Sequence, residues 1–359
     1  MSVSTITAQA DLSRRSLFLV WGPPSHGPRS RVLARELGIE SLHYIYSTTR
    51  RGLLAAPLKY SYQALATFAL LLRERPRLVF VQSPPSFAVL AVFVYCLLSG
   101  ARYVVDAHSD ALQRRIWTWP GWLHRGLARR AITTIVTNEH MHDTIQSWGG
   151  NAFVLRDIPT TFKQSGVYPL GQGFNVVFVN TFARDEPLRE VLAAARSLPE
   201  VQFYITGRKG RAQPEDLAAA PPNVHFTDFL PDEDYYALLA SVQAVMCLTT
   251  RDHTMQRGAC EALSLGTPII TSDWPLLRSY FGDGAAYVQN TSAGICEGIQ
   301  ALQSSYDEYQ RALKAVQATQ RHTWQSQRAA LIALVRGASP AGEQRHPEGT
   351  RETNEQKEA

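Results

Sequence analysis

Short runs of consecutive apolar residues recur along this chain, each followed by a turn-rich stretch and then by a segment with helical spacing. SLFLVW (16–21) is the first strand of this kind, and GPPSHGPRS (22–30) after it opens a helix near Arg29. The alternation continues through a strand at 42–46, a helix at 60–73, the strand LVFVQ (78–82), a helix at 87–98 and the strand YVVD (103–106). A strand at 134–137, a helix at 139–148 and a strand at 153–158 close the first half. Near-continuous apolar strands separated by helices predict a parallel sheet covered on both faces. The longest apolar run, 87–98, is too short to span a bilayer, which takes ~20 residues, and reads as a core helix.

Pro169, Gly171 and Gly173 mark a linker, and the pattern then restarts. Strands are predicted at 175–180, 202–206, 224–229, 244–248, 269–271 and 285–289. Helices are predicted at 188–197, 232–240 and 277–281, and the helical pattern over 293–335 packs the carboxyl end partly back on the first domain. The expected fold class is α/β, with two Rossmann-like doubly wound domains facing each other across a cleft. The expected boundaries are a disordered N-terminus at 1–15, an N-terminal acceptor domain at 16–160, a linker at 161–174, a C-terminal donor domain at 175–336 and a disordered tail at 337–359.

The most informative stretch is CLTTRDHTMQRGACEALSLGTPIITSDW (247–274). It reads as strand, polar loop, helix, tight turn, strand. Gly258 opens the helix, Gly266 closes it, and Pro268 cannot continue it. The glycine leaves backbone N–H groups at a helix N-terminus, which attract phosphate, and Glu261 stands about one turn in, where a carboxylate can accept both hydroxyls of a ribose.

GACEALSLGTPIITSD resembles the donor-site segment of GT-B glycosyltransferases, in particular the retaining enzymes of family 4. That family carries two glutamates eight positions apart, of which the second binds the nucleotide ribose. Glu261 matches the second, whereas the first falls on His253, a departure from the pattern. The resemblance implies a GT-B fold and glycosyl transfer, with retention, from a nucleotide sugar to an acceptor held by the first domain. No cofactor and no metal are required. It places Glu261, Gly258 and Ala259 at the nucleotide, His253 and Arg257 at the donor sugar, and basic loop residues at the diphosphate; Arg184, Arg208 and Lys209 are the candidates. FVQSPPS and YVVDAHSD also resemble the first domain of transferases that act on lipid-linked acceptors.

Loops at the carboxyl ends of parallel strands face the ligand crevice. Gly22, His26, Gly27 and Arg29 in the first loop are therefore candidates for the acceptor or the diphosphate, with the bland alternative that they form a plain strand–helix connection. Asp106 and His108 follow the YVVD strand. An imidazole beside a carboxylate suits proton transfer near neutral pH, and both are taken as catalytic candidates. Asp232-Glu233-Asp234 has the spacing of a metal-binding DxD, but an acidic first helical turn explains it without a metal.

The formal charge is +5, and because residues 337–359 carry five Glu against three Lys or Arg, the rest of the chain is at +7. A basic body suits a nucleotide diphosphate, an anionic membrane surface or nucleic acid, and composition does not separate these. Residues 114–130 interleave Trp117, Trp119 and Trp122 with arginines including Arg125, a mixture that suits the headgroup level of such a membrane. With no nucleic-acid motif present, the partners expected are the nucleotide sugar, a lipid-linked or glycan acceptor in cell-envelope polysaccharide synthesis, and peripheral contact with the membrane. Four scattered cysteines and the lack of a leader pattern read as cytosolic, at the inner face of the cytoplasmic membrane. Two other functions stay open: a sugar-nucleotide epimerase on the same fold, or a non-catalytic partner of a transferase.

Overall fold

The computed structural model describes residues 15–24, 28–47, 56–113, 115–160, 162 and 166–337. Among the described residues, twelve strands form two six-stranded sheets in which every pairing is parallel. The first contains β1 (Ser16–Val20), β2 (Ser41–Tyr44), β3 (Leu78–Ser83), β4 (Arg102–Ala107), β5 (Thr134–Val136) and β6 (Ala152–Val154), in the order β2-β1-β3-β4-β5-β6. The second contains β7 (Phe174–Phe178), β8 (Val201–Thr206), β9 (Val224–Asp228), β10 (Ala244–Cys247), β11 (Ile269–Ser272) and β12 (Ala285–Val288), in the order β12-β11-β10-β7-β8-β9.

β1, β3, β10 and β11 are buried along their whole length, as strands covered on both faces must be. In the second sheet the chain winds outward from β7 to β9, then returns to β10 on the other side of β7. That reversal opens a crevice at the carboxyl ends of β7 and β10, the place where doubly wound sheets bind ligands.

Three expectations change. The strand expected over 153–158 ends at Val154. β6 is an edge strand, and the carbonyls of Leu155 and Arg156 accept from the Arg29 guanidinium at 2.9 and 3.5 Å. The helix at 87–98 exists as Ser86–Ser99 but is not wholly core, because Phe87, Val94, Leu97 and Leu98 face outward. The long carboxyl-terminal pattern is two helices, Ser292–Ser304 and Tyr306–Arg336. The second crosses between domains, with Trp324, Leu331 and Val335 packed in the core of the first domain beside Phe18 and Phe80.

Gly207, where β8 ends, has φ +100°, and a Cβ there would lie 2.2 Å from the Asn180 carbonyl oxygen. Both backbone conformation and space demand glycine. Gly207→Ala is expected to destabilise the protein by ~2 kcal/mol or more. A melting curve that superimposes on the parent's would show that the loop simply moves aside.

Candidate functional site

Asp106, at the end of β4, is fully buried. Ser30 Oγ lies 2.9 Å from Asp106 Oδ2 and 3.0 Å from Gln82 Oε1, a donor shared by two acceptors. His108 Nε2 is 3.4 Å from Asp106 Oδ2, and Arg29 Nε is 3.8 Å from its Oδ1. Burial on its own pushes the Asp106 carboxyl up, but the His108 hydrogen bond and charge, the Arg29 charge and the Ser30 bond together hold it below the ordinary value. Asp106 is therefore an anion at neutral pH, placed to orient the His108 ring. Arg29 Nε and Asp106 Oδ1 are buried without a hydrogen-bond partner, so this polar set is not closed on itself.

Arg29 also leads across to the second domain. Its Nη1 is 3.6 Å from Asp157 Oδ1. Burial raises the Asp157 carboxyl, and the charges of Arg29 and Arg257 pull it back only in part. One carboxylate thus stands between an arginine of each domain.

The loop after β10 docks on the first domain. Arg251 Nη2 donates to Gln113 Oε1 at 2.7 Å, and its Nη1 is 3.7 Å from Asp110 Oδ1. The His253 carbonyl accepts from Asn138 Nδ2 at 3.0 Å and from Gln113 Nε2 at 3.3 Å. The His253 ring stacks on that of His140, with centroids 4.3 Å apart and planes at 11°. His253 has φ 56°, in the left-handed region. The residue standing where family 4 has its first glutamate is occupied, by carbonyl and by ring, in holding the two domains together.

Helix Arg257–Leu265 follows, capped at its end by Gly266 in the left-handed conformation and uncapped by any side chain at its start. A Cβ on Gly258 would lie 2.8 Å from Cys247 Sγ and 2.8 Å from Val179 Cγ1. The glycine lets the helix start press against the ends of β7 and β10, which brings its unpaired N–H groups to the crevice. Ala259 is fully buried, so only its backbone can meet a ligand.

Glu261 is buried on this helix. Its Oε1 accepts from Arg257 Nε at 2.6 Å and its Oε2 from Tyr235 OH at 2.9 Å. Burial raises the Glu261 acid, while the Arg257 charge and both hydrogen bonds offset part of the rise. Each oxygen keeps a further lone pair for a ribose hydroxyl.

A cleft of about 880 Å³ lies between the two domains, and of helix Arg257–Leu265 it is Arg257, not Gly258, Ala259 or Glu261, that lines it. Trp21, Arg29, Tyr60, His108 and Trp117 wall it from the first domain, and Thr254, Met255, Arg257 and Arg211 from the second. Arg184, Arg208 and Lys209 lie in exposed loops at the carboxyl ends of β7 and β8. Arg208 sits over the Phe229 ring at 4.7 Å, and the Lys209 N–H donates to Asp228 Oδ1 at 3.1 Å. Of the GRKGR loop, Arg211 is the residue that reaches the cleft wall.

Gly22 is buried two residues past the end of β1, and His26 and Gly27 lie outside the described residues. The three tryptophans part company: Trp117 turns to the cleft, while Trp119, Trp122 and Arg125 are exposed. Asp232, Glu233 and Asp234 occupy the first turn of helix Asp232–Ser241. Among the described residues no group of three or more His, Cys, Asp or Glu could hold a metal ion. Sequence reasoning passed over Ser30, Gln82, Asp157, Arg211 and Tyr235. Only Arg211, inside a basic glycine loop, carried a signal that could have found it.

Residues 184–333 match a protein family described as glycosyl transferase-like. No curated protein matches the chain by sequence. Among solved structures it is similar to sucrose-phosphate synthase from Thermosynechococcus elongatus, at 14% identity and a TM-score of 0.67 over 90% of this chain and 99% of that one. It is likewise similar to Anabaena HepE in complex with UDP and glucose, at 14% identity and a TM-score of 0.64 over 89% and 99%. A Listeria monocytogenes structure assigned as a UDP-N-acetylglucosamine 2-epimerase aligns at 11% identity and a TM-score of 0.65 over 90% and 96%. At such identities the likeness speaks for the fold, and the fold is GT-B: two Rossmann-like domains facing each other across a cleft.

Proposed function

We propose that the protein transfers a sugar from a nucleotide-sugar donor, bound by the second domain, to an acceptor bound by the first. The observation that carries this reading is the cleft itself. It lies at the switch point of the second sheet, beside an uncapped helix start, and is lined by Arg29, Arg211 and Arg257 from both domains. Cationic groups and N–H dipoles there stabilise the charge of a departing diphosphate, the usual source of barrier lowering when an anion leaves.

The bond from the anomeric carbon to the diphosphate oxygen breaks, and the nucleoside diphosphate departs with the electron pair. The acceptor hydroxyl oxygen bonds to that carbon, and its proton passes to His108, oriented by Asp106. Retention at the anomeric carbon belongs to this reading through the family resemblance, and the anomeric coupling constant in the product's NMR spectrum decides it. A lipid-linked acceptor of envelope glycan synthesis fits the aromatic wall of Trp21, Tyr60 and Trp117, to which the ring of a sugar can stack.

The binding test uses UDP and uridine, because HepE has been solved with UDP. A ligand at ~100 times its dissociation constant stabilises by about 2.7 kcal/mol, which a thermal-shift experiment resolves. Arg211→Ala is expected to weaken UDP ~10-fold and uridine hardly at all, since only UDP presents the diphosphate. An Arg208→Ala, Lys209→Ala pair should act in the same sense but less. Equal weakening of both ligands would remove these residues from the phosphates. The activity test supplies UDP-glucose with a lipid-linked acceptor. Glucosylated product supports the transferase, whereas a 2-epimer without glycosylated product would select the epimerase alternative.

A further inference from the structure

Helix Ala56–Glu74 buries Leu71 and packs Tyr60, Ala64, Phe68 and Leu70 against the first core, yet it carries a second apolar side that meets nothing among the described residues. Gln63 and Thr67 are turned inward, 2% and 0% exposed, while Leu58, Leu65 and Leu72 are 68%, 72% and 54% exposed. The inward polar groups find partners, with Gln63 Nε2 donating to the Ile45 carbonyl at 2.8 Å and Trp21 Nε1 to Thr67 Oγ1 at 2.8 Å. Outward positions 58, 62, 65, 69 and 72 hold Leu, Tyr, Leu, Ala and Leu, and their spacing of four, three, four and three draws one stripe along the helix. The neighbouring helix Ser86–Ser99 adds Leu97 and Leu98 at 71% and 72%, and Trp122 at 69% lies on helix Gly121–Ala128 beside it. An apolar surface that spreads over three adjacent elements is far more than scattered exposed residues and marks a contact with something apolar.

Charge says what that is. Residues 56–130 contain ten Lys or Arg and three Asp or Glu, and one of those three, Asp106, is buried. We propose that this face rests on an anionic lipid bilayer, with the leucines and Trp122 entering the headgroup–acyl boundary and the basic residues meeting lipid phosphates. A second copy of the chain docked through the same face would set two arginine-rich rims against each other, which is repulsive in a two-fold contact. Among the described residues no helix is long and apolar enough to cross a membrane, so the contact is with one leaflet. The inference rests on the reading of a lipid-linked acceptor and explains how one is delivered. Lys59 and Tyr60, on this same helix, line the cleft, so a headgroup carried at the bilayer surface arrives on the His108 side.

The test sediments the full-length chain with vesicles of phosphatidylglycerol and phosphatidylcholine, and with phosphatidylcholine alone. Binding is expected to need the anionic lipid and to weaken as salt rises. Leu65→Ser with Leu97→Ser is expected to lower the vesicle partition coefficient at least tenfold, with melting temperature and UDP affinity unchanged. Trp122→Ala, a smaller change, should lower it severalfold and stands as the check should the double variant fold poorly. The proposal is overturned if the parent ignores anionic vesicles, or if a folded double variant binds them as the parent does. It is also overturned if sedimentation equilibrium shows a dimer that the double variant converts to monomer. UDP binding without vesicle binding would sink the membrane face alone, and vesicle binding without any nucleotide binding would sink the proposed function alone.

Discussion

Glu261→Ala is expected to weaken nucleotide binding at least tenfold. In the proposed complex the carboxylate accepts both ribose hydroxyls, each bond to a charged group contributing roughly 1.5–3 kcal/mol, and ~1.4 kcal/mol already gives a factor of ten. The structure adds a second consequence. Glu261 is the partner of both Arg257 Nε and Tyr235 OH, so its loss leaves a partly buried guanidinium and a phenol without their acceptor. The folded state should lose about 2–3 kcal/mol, and binding must be measured where the variant is fully folded. Glu261→Gln keeps the packing and one acceptor oxygen, and should fall between variant and parent. A 2′-deoxyribose nucleotide isolates the ribose contact, because removing that hydroxyl should cost the parent much more than it costs Glu261→Ala. Unchanged nucleotide affinity in folded Glu261→Ala would end the assignment and leave the residue as a purely structural partner of Arg257.

The second large effect falls on turnover. His108 lies on the first domain's wall of the cleft, so His108→Ala should leave nucleotide affinity within about twofold while turnover drops ~10²-fold or more. Asp106→Asn tests the same step from behind. It keeps the shape but removes the anion that faces His108 and Arg29, so turnover should fall at least ~10-fold while nucleotide affinity stays near the parental value. A His108→Ala enzyme turning over at the parental rate would take proton transfer away from this residue. Parental turnover in folded Asp106→Asn would reduce the carboxylate to a structural anchor for Ser30 and Arg29.

These roles divide by how far apart in the chain their residues lie. Asp106 and His108 are two positions apart at a strand end, and Gly258, Glu261 and Gly266 fall within one helix, so local spacing exposes them. Ser30, Gln82 and Asp106 meet only because β1, β3 and β4 are neighbours with their carboxyl ends level. Asp157 lies on a stretch without regular structure, and nothing local says that it will stand between Arg29 and Arg257. His253 shows the limit most clearly. As a departure from the family's glutamate it was visible in the chain, but its stacking on His140, 113 positions away, needed both domains in place.

What the amino-acid sequence determined by itself was everything carried by short-range periodicity and punctuation. Buried parallel strands read as unbroken apolar runs, and Gly266 with Pro268 ends one helix and releases the next strand, because φ and sterics act within a few residues. Strand order, and with it the switch point beside β7 and β10, was decided only by the tertiary structure, since parallel strands of similar composition pair equally well locally. The orientation of helix Ala56–Glu74 was decided there too. Apolar residues lie on two sides of it, and the first sheet decides which side packs: Leu71 and Phe68 go to the core beside Thr67 and Gln63, which bond Trp21 and the Ile45 carbonyl, while Leu58, Leu65 and Leu72 face out.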